Sequence, residues 1–131
     1  MSGSAGDAGI YTLLIRLARS RRIRVGSLGL RAFPAGYYLY TGSARRHLAA
    51  RVARHFRRCK TRRWHVDYLL RYARVEAVRV WPGERNECRI NRFWLERPGA
   101  GIPVPGFGSS DCRCRSHLVY MPEQPSLEPE E

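Results

Sequence analysis

The chain has 131 residues, with 24 Arg or Lys against 11 Asp or Glu and a formal charge of +13 at pH 7. That length fits one domain with one modest core. No apolar run approaches the roughly 20 residues that a bilayer-crossing helix needs, which excludes a helical membrane span. The charge is also unevenly placed. No Asp or Glu occurs from Ala8 to Val66, a stretch holding 14 Arg and Lys60, whereas Glu123, Glu128, Glu130 and Glu131 lie at the far end. A one-sided field of planar arginine forks suits phosphate backbones and predicts a polyanion partner whose binding weakens as salt rises.

In chain order, Met1 to Ala8 reads as a flexible leader. Tyr11 to Leu17 alternates and is apolar, which predicts a strand. Arg19 to Arg22 is a basic bridge, and Ile23 to Val25 a short second strand closed by Gly26. Tyr37 to Thr41, bounded by Gly36 and Gly42, predicts a third strand. From Ala44 to about Arg58 the period becomes helical, with Leu48, Val52 and Phe56 on one stripe and Ser43 as the expected N-cap. Trp64 to Tyr72 reads as a short helix and Val75 to Trp81 as a strand ending at Pro82-Gly83. Glu84 to about Arg97 reads as a third helix, and Arg115 to Tyr120 as a last strand. Met121 to Glu131 is an acidic Pro/Glu tail expected to be disordered, so residues 9–120 form the domain. The order β-β-β-α-α-β-α-β predicts an α/β fold of the α+β type, a small mostly antiparallel sheet with helices packed against it. No signal peptide is read before Gly9, so a cytoplasmic location is expected, with Cys59, Cys88, Cys112 and Cys114 as thiols or metal ligands.

Within the first helix, His47, Arg51 and His55 are four residues apart, with Arg54 and Arg58 beside them, a stripe bordering the apolar face. It is either a solvated basic helix or a positioned set. In the third helix Glu87 heads a stripe continued by Ile90, Asn91 and Trp94. A carboxylate aimed at the protein body wants a cation. A neighbouring arginine at the helix N-terminus would serve. So would Mg²⁺ or Mn²⁺, with water and substrate oxygens filling the other positions. Tyr11 and Tyr40 carry phenols that titrate near 10, so they act as bases only beside positive charge, which Arg51 and a bound cation would supply. Arg45, Arg46, His47, Arg54, Arg58 and His65 complete the expected nucleic-acid contacts.

Gly9-Ile10-Tyr11, Tyr40-Thr41-Gly42-Ser43-Ala44, Arg51-x-x-Arg54-His55-Phe56 and Glu87, in that order, resemble the GIY-YIG nuclease superfamily. That group includes intron homing endonucleases and the incision subunit of bacterial nucleotide-excision repair. The Trp64-His65-Val66-Asp67-Tyr68-Leu69-Leu70 run, Glu87-Cys88 and Phe107-Gly108-Ser109-Ser110-Asp111-Cys112-x-Cys114-x-x-His117-Leu118 are similar to its small Uri-type branch, which occurs alone or joined to a DNA glycosylase. The resemblance runs from Gly9 to Tyr120. It implies hydrolysis of DNA phosphodiesters with one divalent metal, with RNA not excluded, in repair or DNA processing alongside a DNA-repair protein partner. By matching position Glu87 would hold the metal and Arg51 the scissile phosphate. Tyr11 or Tyr40 would take a proton from water, with His55 relaying or holding it. Two departures stand out: the Arg19–Pro34 insertion lengthens the gap between the tyrosine motifs, and the asparagine that other branches place after the glutamate has only Asp111 as a substitute.

Cys112 and Cys114, His117 and, at a distance, Cys88 offer a tetrahedral zinc set. A continuous strand would put His117 on the face opposite Cys112 and Cys114, so a site would require a bulge or turn, and buried structural thiols are the expected outcome. The sequence therefore predicts a metal-dependent endonuclease whose residues converge in one shallow cationic cleft. The rivals are a non-catalytic nucleic-acid-binding module and a zinc-stabilised interaction domain.

Overall fold

The computed structural model describes residues 7–57, 60–109 and 112–128. Its centre is β1 (Gly9–Leu17), whose apolar side chains point to both faces and are nearly all buried. β1 lies between β4 (Gly36–Ala44) and β5 (Arg74–Pro82), and β6 (Leu118–Met121) pairs with the outer side of β4, giving an antiparallel sheet of order β5-β1-β4-β6. On one face Tyr11, Leu13, Ile15 and Leu17 pack with Tyr38 and Tyr40 under α1 (Leu48–Phe56), α2 (His65–Leu69) and Phe107. On the other, Ile10, Leu14 and Leu39 meet Ile90 and Trp94 of α3 (Glu87–Leu95). The indole N–H of Trp94 donates to Thr12 Oγ1 at 2.9 Å, and that hydroxyl meets Thr41 Oγ1 at 3.1 Å, so these three polar groups are paired inside the second core. Among the described residues no helix is long and apolar enough to cross a membrane.

Several expected boundaries shift, each for a local reason. A second hairpin forms from β2 (Arg21–Arg24) and β3 (Leu30–Phe33), linked by a helical turn at Gly26–Leu28. β3 carries little sequence signal because only Phe33 of its four residues is buried. α1 does not begin at Ala44, and Ser43 is not its cap. The ladder to β1 continues through Ile10↔Ser43 and Gly9↔Ala44, so backbone pairing holds those residues extended. The helix starts at Leu48 after His47, which takes a left-handed conformation at φ 59°. With that start, Leu48, Val52 and His55 face the sheet at i, i+4, i+7, whereas Phe56, expected in the core, is 50% exposed at the helix end. α3 starts at Glu87, not Glu84, because the Asn86 side chain accepts from the Arg89 amide at 3.0 Å and caps it. β6 begins at Leu118, three residues later than expected. Within the described residues 121–128, the tail is not detached as its composition predicts. Met121 closes β6, and Leu127 packs on the second core while its carbonyl accepts from Arg79 at 2.8 Å.

Asp67 fixes how α1 and α2 meet. Its carboxylate, wholly buried, accepts from both ends of the Arg54 guanidinium at 3.0 and 3.1 Å and from the amides of Arg63 and Trp64 at 2.7 and 2.9 Å. Burial alone would raise its pKa, but these hydrogen bonds outweigh burial and hold it below the usual carboxylate range. The carboxylate's contribution is therefore full above about pH 4 and is lost as pH falls through the depressed folded value. Asp67→Ala strands a guanidinium and two amides, and we expect a loss of about 3 kcal/mol in urea unfolding at pH 7. A loss under about 1 kcal/mol would show that water replaces the carboxylate without penalty.

Candidate active site and metal centre

The β1–β4 register builds the first half of the site. Tyr11 lies opposite Gly42 and Leu13 opposite Tyr40, so both phenols share the face covered by α1. Their ring centroids are 6.5 Å apart. Gly42 is required because a Cβ there would lie 2.6 Å from the Tyr11 hydroxyl. From α1, His55 Nε2 meets that hydroxyl at 2.8 Å, and Arg51 reaches back to donate to the Ser43 carbonyl at 2.8 Å. Tyr11, Tyr40, Ser43, Arg51, Arg63, Trp64, His65 and Gly108 enclose a cavity of 220 Å³. The indole of Trp64 lies 4.8 Å beneath the Arg51 guanidinium and orients it by a cation–π contact. Gly108 adopts φ 68° and its amide donates to His65 Nδ1 at 2.8 Å, which fixes that imidazole at the cavity wall. Burial lowers the His65 pKa, so it lines the cavity as a neutral ring.

Burial raises the Tyr11 pKa well above that of free phenol, and Arg51 pulls against it. Tyr40 is raised too, by burial first and then by Tyr11. His55 moves the other way: burial, with Arg54, Lys60 and Arg51 nearby, outweighs Asp67 and takes it to about 4. His55 is only 2% exposed and its Nδ1 has no hydrogen-bond partner among the described residues. A buried unpaired N–H is costlier than an unpaired lone pair, so this pattern assigns the proton to Nε2, donated to Tyr11. The imidazole is thus fully buried rather than bordering the surface, and it acts on Tyr11 rather than on the cavity.

Glu87 completes the expected set from a neighbouring space. Its side chain, 31% exposed, lines a separate cavity of 560 Å³ with Ala8, Gly9, Ser43, Arg45, Glu84 and Arg85. The single cleft expected from sequence is therefore two adjacent cavities, and Ser43 borders both. The Ser43 hydroxyl donates to Glu87 Oε1 at 2.9 Å while its carbonyl receives Arg51. Each Glu87 oxygen retains a lone pair, and one carboxylate beside a hydroxyl in an open cavity is a donor set that suits a hydrated Mg²⁺ or Mn²⁺.

The other Glu87 oxygen, Oε2, lies 3.0 Å from His117 Nδ1, which also faces the Thr41 carbonyl at 3.2 Å. Two acceptors at Nδ1 place its proton there. On the ring's far side, Nε2 meets Cys112 Sγ at 3.2 Å and Cys88 Sγ at 3.8 Å. Cys88, Cys112, Cys114 and His117 present ligand atoms all within 4.8 Å of one another, a group that can bind a metal ion. The strand alternation expected to set His117 apart from the cysteines is absent because residues 112–117 form no strand and the chain turns ahead of β6. Burial, then hydrogen bonds that Cys88 donates to Cys114 and Cys112, pushes the Cys88 thiol up to about 12. Cys114 falls because its contacts to Cys88 and His117 outweigh burial. Burial opposes charge on His117, but Glu87 and Cys114 outweigh it and bring its pKa to about 9. Glu87 is correspondingly lowered, since its bonds to His117 and Ser43 outweigh burial.

Residues 10–130 match the family model described as Domain of unknown function DUF123. The chain belongs to that family. No curated protein and no solved structure matches it.

Within this DUF123 domain, the expected nucleic-acid contacts divide. Arg45, Arg46 and His47 are exposed between β4 and α1, and His65 lines the cavity. Arg54 is held by Asp67 and Thr61 and so braces the fold. Arg58 and Asp111 lie outside the described residues. Arg63, Trp64 and Gly108 line the site without having been singled out as site residues, and Ser43 serves as its hinge rather than as a cap. Of these, Trp64 and Gly108 carried a signal, both lying in the runs similar to the Uri-type branch.

The depressed His55 pKa has a measurable consequence. Between pH 6.5 and about 4 the unfolded chain takes up a proton at this imidazole that the folded chain refuses, so stability falls as pH drops through that window and levels off below it. His55→Gln is expected to remove that portion of the pH dependence, measured as the difference between wild-type and variant urea unfolding curves from pH 7 to 4. Parallel pH profiles would mean that the ring is charged or hydrated in the folded protein.

Proposed function

We propose that this domain is a metal-dependent endonuclease that hydrolyses phosphodiester bonds in DNA, as the resemblance to the GIY-YIG superfamily implies. The observation that carries the reading is that Tyr11, bonded to His55, shares one cavity with Arg51, which Ser43 links to Glu87. A Mg²⁺ or Mn²⁺ ion on Glu87 would neutralise charge on the phosphate and the departing oxygen. The protein's own residues do the rest. Arg51, oriented by Trp64, donates to a non-bridging phosphate oxygen as charge builds there. With its own proton first released to solvent, Tyr11 as phenolate takes the proton from the attacking water while the new P–O bond forms and the ester bond breaks, the departing oxygen gaining its proton from solvent. His55 steadies the phenolate through its Nε2–H. Burial keeps Tyr11 protonated at rest, so it becomes a base only when cationic charge gathers beside it. Arg45, Arg46 and His47 hold the flanking backbone. We assign zinc to Cys88, Cys112, Cys114 and His117, since soft thiolates with one imidazole and no open position suit a structural zinc site. The chain would work in the cytoplasm, where its thiols stay reduced.

A second reading has its own support. Both Glu87 oxygens already accept hydrogen bonds, and the Tyr11 hydroxyl is buried, as in a nucleic-acid-binding module that cuts nothing. Nicking assays with Mg²⁺ or Mn²⁺ on duplex, flap, branched and single-stranded substrates separate the two. The nuclease reading predicts cleavage that Glu87→Ala abolishes, with binding retained, and that Arg51→Ala slows by about 10²–10³-fold. Binding without cleavage on every substrate would establish the module instead. Replacing both Arg45 and Arg46 by Ala should reduce the slope of log K against log salt on duplex DNA by about 2, whichever reading holds.

A further inference from the structure

Glu87 and Cys88 are consecutive residues in the first turn of α3, and they serve different neighbours. Cys88 turns to the thiol group, while Glu87 Oε2 sits 3.0 Å from the Nδ1 of His117, whose opposite nitrogen faces Cys112 at 3.2 Å and Cys88 at 3.8 Å. In a tetrahedral site with Zn–S of about 2.3 Å and Zn–N of about 2.05 Å, sulfur and nitrogen ligand atoms lie roughly 3.6 Å apart, so both separations need shift by only a few tenths of an ångström. With Nδ1 donating to Glu87 and the Thr41 carbonyl, a metal that displaces the Nε2 proton would find that nitrogen's lone pair aimed at the thiols. This is the arrangement by which an outer carboxylate fixes the tautomer and direction of a metal-bound histidine.

We propose that Glu87 is the outer carboxylate of the Cys88/Cys112/Cys114/His117 metal centre, and that the filled centre sets where this carboxylate points. The inference rests on zinc occupying the four ligands. The same carboxylate that faces the cavity beside Ser43 is then held through His117 on one side and through its neighbour Cys88 on the other. A metal one ligand removed from Glu87 thereby orients the group that the cavity beside Ser43 presents.

The test is zinc affinity, measured on the full chain by competition with a chromophoric chelator for wild type, Glu87→Gln and Glu84→Gln. The second variant carries the same charge change three residues away, on an acid that pairs with Arg89 instead of His117. Glu87→Gln should weaken zinc binding by about 10–100-fold, and Glu84→Gln by less than about twofold. The thiolate-to-metal charge-transfer band of the cobalt-loaded Glu87→Gln protein should match wild type, which shows that all four ligands remain and the protein is folded. Equal zinc affinities for the two variants would overturn the shared role while leaving zinc in place. A wild-type protein that binds no zinc would overturn it together with the zinc assignment. Absence of nicking counts against the nuclease reading alone, because none of these readouts depends on cleavage.

Discussion

The pairing of Tyr11 with Gly42 across β1 and β4 is the constraint from which the site follows. It sets two phenols on one face, and the missing Cβ at Gly42 lets the Tyr11 ring lie flat enough for its hydroxyl to reach His55. The same ladder, continued to Ala44, holds Ser43 extended, so its carbonyl and hydroxyl address opposite sides of the strand end. A one-residue slip of β1 against β4 would put Tyr11 and Tyr40 on opposite faces of the sheet and separate one phenol from Arg51.

His117 plays the matching part at the other end of the site. Its backbone pairs with Thr41, its Nδ1 with Glu87, and its Nε2 with the thiols, so one ring ties β4, α3 and the loop before β6 together. Such a buried ring is expensive to leave partly satisfied. The cysteine–histidine cluster and the carboxylate at the Ser43 cavity are thus parts of one polar network rather than neighbours by accident.

How much of this was legible in the sequence depended on whether the signal was local. β1, β4 and β5 show apolar or aromatic runs closed by Gly or Pro, and Ile90, Asn91 and Trp94 give a helical stripe that the fold buries as expected, with Glu87 part-exposed at its head. Ser43 and Ala44 misled because their preferences suit a helix start, while the strand pairing that overrides them is set by Gly9 and Ile10 far away in the chain. Arg54 looked like a phosphate ligand because Asp67, its partner, lies on another helix. The four candidate metal ligands were legible by type but not as a group, because Cys88 comes from α3 and the turn that swings His117 back toward Cys112 and Cys114 has no periodic pattern to announce it. Two cavities in place of one cleft likewise follow from Ser43 standing between them, a matter of packing that no spacing encodes.

The central claim is that Glu87 stands between two ion sites of different chemistry. Anomalous diffraction from crystals soaked in Mn²⁺, recorded at both the zinc and manganese absorption edges, tests it most directly. The account predicts a zinc peak enclosed by Cys88, Cys112, Cys114 and His117, and a separate manganese peak on the Ser43 side of Glu87. Manganese absent from Glu87 while zinc fills the thiolate centre would contradict it, leaving that carboxylate a structural partner of His117 alone.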